Sequence, residues 1–158
     1  MNIITGILRD LADLKKRIAR LETMGSPYFT QYGGYAVKAI AGQALVEGEV
    51  VQITQGIAGA TMTVFKNAID SDMPVGVCYA DAAQGASVYV VVSGVGYVLP
   101  NAADSPARGY VIYSSSTTAG RVSQANAVPA ITIHVREVGH WLESTAQGVK
   151  ARAIIHFN

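Results

Sequence analysis

Near the start of the chain six aliphatic residues, Ile4, Ile7, Leu11, Leu14, Ile18 and Leu21, recur at steps of 3, 4, 3, 4 and 3. That heptad rhythm keeps one narrow apolar seam on a single side of an α-helix, as in helices that wind around one another. In this register Ile4, Leu11 and Ile18 take the a positions and Ile7, Leu14 and Leu21 the d positions. Arg17 then falls at g and Glu22 at e. A helix packed on its own domain usually carries a wider apolar face, and here Ile3 and Leu8 widen it only at the N-terminal end. A rod of about 20 residues is only about 30 Å long and marginal alone in water, so it must associate or be held by the rest of the chain.

The stretch Arg17-Ile18-Ala19-Arg20-Leu21-Glu22 bears on the number of copies. It has the Arg-h-x-x-h-Glu form of the trimerisation motif of short parallel coiled coils. The Arg17 guanidinium can reach Glu22 of a neighbouring helix in bidentate geometry while its methylene stem shields the seam. Mixed Ile and Leu at the a positions do not enforce a dimer. The expectation is a parallel homotrimer zipped through Ile4, Ile7, Leu11, Leu14, Arg17, Ile18, Leu21 and Glu22.

Composition changes at Met24-Gly25-Ser26-Pro27. Residues 1–24 hold eight charges and no proline, whereas the remainder holds fifteen of the sixteen glycines and all five prolines. Gly25 followed by Pro27 is a helix stop, because glycine supplies a left-handed cap and proline cannot continue the ladder. The organisation read from this is a coiled-coil helix over 1–25, a Gly/Tyr-rich linker with a first strand over 26–44, and a β domain over 45–158.

Beyond the break the chain reads as mainly β. Runs at 50–54, 62–65, 75–79, 88–92, 110–113, 131–138 and 149–157 are rich in β-branched and aromatic residues. Turn signals separate them, among them Glu47-Gly48, Asp70-Ser71-Asp72, Ser93-Gly94 and Gln147-Gly148. Such spacing predicts a compact antiparallel β-sandwich or small β-barrel. Apolar and polar residues alternate over 131–136 and again over 149–153, which gives one buried and one wet face. Val88-Tyr89-Val90-Val91-Val92 is apolar on both faces, so it is either central in the fold or covered by another subunit.

Net charge is +1, which argues against a protein built around phosphate neutralisation, and no apolar stretch is long enough to span a bilayer. No nucleic-acid or membrane partner is expected. Mean hydropathy is +0.27, high for a chain this small, because small folds leave much of their surface in water. Burial between subunits resolves that conflict. Cys78, alone and inside an apolar run, reads as a small core residue.

No enzymatic constellation is present, and neither a cofactor nor a metal is called for. Gly94-Val95-Gly96-Tyr97-Val98-Leu99 lacks the third glycine of a phosphate-cradling loop and reads as a tight strand turn. There is no G-x-S-x-G elbow, no HExxH and no cysteine pair. His134 and His156 take the polar parity of their strands, and His140 sits between Gly139 and Trp141, a place for a strand start or a subunit contact. A threefold axis could gather one histidine from each copy, but no second ligand lies at a telling spacing. Asp70, Asp72 and Asp81 read as turn residues, since the glycine and terminal glutamate of a helical calcium loop are missing. Tyr28, Phe29, Tyr32 and Tyr35 around Gly33-Gly34 could bind a glycan, or pack as a Tyr/Gly linker under the stalk.

A family resemblance attaches to three stretches: Pro74-Val75-Gly76-Val77-Cys78-Tyr79-Ala80-Asp81-Ala82-Ala83-Gln84-Gly85, Val88-Tyr89-Val90-Val91-Val92-Ser93-Gly94, and Gly109-Tyr110-Val111-Ile112-Tyr113. With the segments 138–145 and 153–158 they resemble the decoration (cement) proteins and short head fibres of tailed phages. The resemblance is one of pattern over most of residues 45–158. It implies a non-enzymatic virion structural protein, a homotrimer seated at threefold or quasi-threefold points on the major capsid protein. Such a protein is made in the host cytoplasm and resides on the capsid surface. The smallest cement proteins lack a helical stalk, which moves the expectation toward a head fibre or a knobbed decoration protein. The alternative is a tail-fibre or tail-associated module that binds a host surface glycan.

Overall fold

A computed structural model of the chain describes Lys15 and residues 28–53, 62–126 and 136–157. The heptad residues Ile4, Ile7, Leu11, Leu14, Arg17, Ile18, Leu21 and Glu22 lie outside the described residues, as do His134 and the alternating run 131–135.

The described strands run in chain order as β1 Tyr28–Phe29, β2 Tyr35–Ala41, β3 Val50–Ile53, β4 Thr63–Lys66, β5 Gly76–Cys78, β6 Ser87–Val98, β7 Val111–Ser114, β8 Val122–Ala125, β9 Glu137–Trp141 and β10 Ala151–Ile155. Of the two β architectures expected, the molecule adopts the barrel. Neighbours take the order β2-β4-β3-β5-β6, and β6 pairs back onto β2, which closes a five-stranded ring. An odd ring cannot alternate strand direction all the way round, so one neighbouring pair must be parallel. That pair is β2 and β4, with Ile40 opposite Thr63 and Ala41 opposite Val64. The expectation of a wholly antiparallel domain is corrected at this seam.

β6 carries the chain out of this ring into a second. Its first half pairs with β2 and β5, while residues 94–98 pair with β10. From β10 the order continues through β9 and β7 to β8. β8 then returns to Pro100, just past the end of β6, through an isolated parallel bridge to Val122. The same parity rule governs both closures.

Two cores result. Ala39, Ala41, Val51, Val64, Cys78, Val88 and Val90 fill the first ring. Val50, Val77 and Val91 turn the other way, against Val98, Ile112, Val138, Trp141 and Ile155. Adjacent residues of three strands, Val50/Val51, Val77/Cys78 and Val90/Val91, therefore point into different cores. A wall shared by two cores has no wet face, which is why these strands read as unbroken apolar runs. The chain itself covers both faces of β6 at Val90 and Val91.

The reading of residues 94–99 as a turn is corrected, because β6 runs straight through them to Val98. Gly94 takes φ +88, and a Cβ there would stand 2.6 Å from the Gly33 carbonyl oxygen. Glycine at this point lets one strand change partners under close backbone approach instead of reversing the chain. β1 and β2 both fall within residues 26–44, and β2 is central, bonded to β1, β4 and β6.

Candidate functional site

β1 begins at Tyr28, directly after the sequence break. It pairs with β2 as a short hairpin, with Tyr28 opposite Ala36 and Phe29 opposite Tyr35. The Thr30 N–H donates to the Gly34 carbonyl at 2.8 Å, and the Thr30 hydroxyl accepts from the Gly34 N–H at 2.9 Å. Held this way, β1 presents rings on both its faces. Tyr28 packs against Tyr89 with centroids 4.9 Å apart and against Tyr79 at 5.9 Å, while Phe29 meets Tyr35 edge-on at 5.7 Å. Phe29 remains 72% exposed, and Tyr28, Tyr35 and Tyr89 are also exposed on the single chain. Tyr32 stands edge-on to Tyr97 at 5.2 Å, and the Lys150 ammonium lies over the Tyr97 ring. Together these rings form an exposed aromatic group, a candidate interaction surface. Tyr28, Phe29, Tyr32 and Tyr35 stood out in the sequence; Tyr79, Tyr89 and Tyr97 join them only through strand pairing.

The second constellation lies on β9 and β10. The register sets Gly139 opposite Ile155 and His140 opposite Ile154. His140 and His156 thus become diagonal neighbours on one face, with Nδ1 of His140 and Nε2 of His156 hydrogen-bonded at 3.0 Å. Residues i and i+3 of a regular strand point to opposite faces. Between β7 and β9 the register slips, however: Ile112 faces Gly139 and Tyr113 faces Glu137. The irregularity takes up Val138 and re-aims the Glu137 side chain, as bulges do. Glu137 Oε1 consequently lies 3.8 Å from His140 Nδ1 and 3.5 Å from His156 Nε2. These three side chains could hold a metal ion between them.

The other residues weighed in the sequence have structural partners. Asp70 adopts a left-handed turn at φ 55 and pairs with Arg136, whose Nε also lies 3.6 Å from Asp72. Asp81 accepts from the Glu47 N–H at 2.8 Å. The Glu143 carboxyl is held below its ordinary value, chiefly by the hydrogen bond from the Arg152 side chain. Cys78 is buried, its thiol donates to the Ala80 carbonyl at 2.9 Å, and burial pushes it up to about 12. In the folded protein at pH 8 Cys78 should therefore react with iodoacetamide about a thousandfold more slowly than in the denatured chain, since the thiolate is the nucleophile. Labelling at equal rates in the two states would show that the first core opens readily.

A similar solved structure is the N base of the head fibre gp8.5 of bacteriophage phi29, at 14% sequence identity with a TM-score of 0.56. The match covers 76% of this chain and 92% of the phi29 one. The chain shares that fold. No protein-family model matches it, and neither does any curated protein.

Proposed function

We propose that the chain is a non-enzymatic virion structural protein, a homotrimer that stands on a tailed-phage head as a head-fibre or decoration protein. Its seat is a threefold or quasi-threefold point of the shell, against the major capsid protein. The observation that carries this reading is the fold shared with the phi29 head-fibre base, across nearly all of that base.

Two features at residue level support it. The heptad seam ends at Leu21, seven residues before Tyr28 in the sequence, and in a trimer built on that seam three copies would bring the exposed rings of Tyr28, Phe29 and Tyr35 together and cover them. That arrangement also accounts for the high mean hydropathy of so small a chain. Three copies touching three capsomers turn modest contacts into firm attachment by avidity.

Sedimentation of the full chain at micromolar concentration should give the mass of three copies. Exchanging Ile18 and Leu21 together for asparagine puts unsatisfied amides into the seam, at roughly 1–3 kcal/mol per buried group, and should yield smaller particles. A lone wild-type chain at that concentration would overturn the trimer. Electron microscopy of virions bearing the protein should find it on the head. Protein confined to the tail would favour the second reading, a tail-associated module whose exposed Tyr28 and Phe29 rings stack on a host glycan. In that event Phe29→Ala should abolish binding to host polysaccharide.

A further inference from the structure

We infer that Glu137, His140 and His156 form a binding site for a divalent transition-metal ion, Zn2+ in particular. Two imidazole nitrogens and one carboxylate oxygen form a triangle with sides of 3.0, 3.5 and 3.8 Å. Zinc bonds of about 2.0–2.2 Å to such donors put neighbouring ligands about 3.0 Å apart at right angles and about 3.4 Å apart at the tetrahedral angle. The observed triangle sits at and just above that range, so an ion reaches all three donors with shifts of a few tenths of an ångström, roughly what side-chain rotation supplies.

The chemistry selects the ion. Imidazole suits zinc, nickel, copper and iron, whereas calcium and magnesium take oxygen donors, so two histidines against one carboxylate favour the first group. Position matters as well. The Glu137 side chain is only 6% exposed and forms the floor, while the His140 and His156 side chains, 38% and 41% exposed, form the walls. The mouth opens to solvent and leaves coordination positions for water or for a donor on another molecule. All three residues stand on or beside paired strands, and the β9 irregularity that turns Glu137 toward the histidines is braced by β7 and β10. The donors are thus placed before any ion arrives. On binding, the ion takes one nitrogen lone pair from each ring, and the ring that donated in the histidine pair changes tautomer, its proton moving by exchange with solvent to its other nitrogen.

The test uses the full chain, free of any histidine tag and stripped with chelator. Titration calorimetry with zinc chloride should show one Zn2+ per chain, unaffected by millimolar Mg2+. Loss of a metal's outer-shell partner already weakens binding by 10–100-fold, so His140→Ala and His156→Ala should each weaken it by at least about 100-fold. Both substitutions lie at the surface, and circular dichroism verifies that the variants fold. Added Co2+ should give visible d–d bands in the wild type and in His134→Ala, and none in the other two variants. Absence of saturable Zn2+ binding would overturn the site. So would undiminished affinity in both the His140 and His156 variants, which would leave the histidine pair as a structural hydrogen bond only.

Discussion

Replacing Trp141 by alanine should lower the free energy of unfolding by about 3–5 kcal/mol, the range for emptying an indole-sized site in a packed core. Trp141 is 1% exposed on β9 and packs in the cluster that joins the outer wall of the first ring to the second, with Ile112, Val138 and Ile155. Domains of this size are stable by roughly 5–15 kcal/mol, so the loss is a large fraction of the whole. Each kcal/mol moves the midpoint of a chain this long by about 2–4 °C, and scanning calorimetry should place the variant roughly 6–20 °C below the wild type. The neighbouring Leu142 is exposed, and its alanine variant should stay within about 0.5 kcal/mol. Equal midpoints for Trp141→Ala and the wild type would mean that the second core does not hold the two rings together.

Gly139→Ala should be about as damaging for a different reason. A Cβ at residue 139 would lie 1.9 Å from the Ile154 carbonyl oxygen and 2.9 Å from its carbon, both of them backbone atoms of β10. No rotamer change relieves such a clash, so β9 and β10 must part or residue 139 must leave its φ of +151. Overpacking and backbone strain together put the cost on the order of 3 kcal/mol or more. Gly85 supplies the comparison. It too has positive φ, +82, but nothing lies within 4 Å of its Cβ position, so Gly85→Ala should cost only about 1–2 kcal/mol. Urea unfolding of the two variants separates backbone approach from backbone conformation. Similar midpoints for both would show that strand separation at Gly139 is easy.

How much of the fold was legible in the sequence depended on how local each signal was. The runs at 50–54, 62–65, 75–79 and 110–113 carry Val, Ile, Phe and Tyr, and β3, β4, β5 and β7 lie on them, because branched and aromatic side chains fit a half-buried pleat. β2 was harder to find. Its buried residues are Ala36, Ala39 and Ala41, small enough to fit inside a narrow ring but poor strand signals. β8, Val-Ser-Gln-Ala over 122–125, offers one large apolar residue and no clear alternation. The candidate metal donors were invisible for a related reason. Spacings of 3 and 16 residues between Glu137, His140 and His156 match no local ligand pattern, since their meeting depends on a register slip against β7 and on the β9–β10 pairing.

By itself the sequence determined the β character of the chain beyond the Gly25-Pro27 break and the resemblance to short phage head fibres. Each of these is a property of neighbouring residues, set by side-chain shape, turn chemistry and charge. Only the tertiary structure decided that β6 is shared by two closed rings, that one pair in the first ring runs parallel, and that two histidines converge on a buried glutamate. A two-residue period says which side chains face a core but not which core, and partners 16 or 50 positions apart are chosen by closure of the whole sheet.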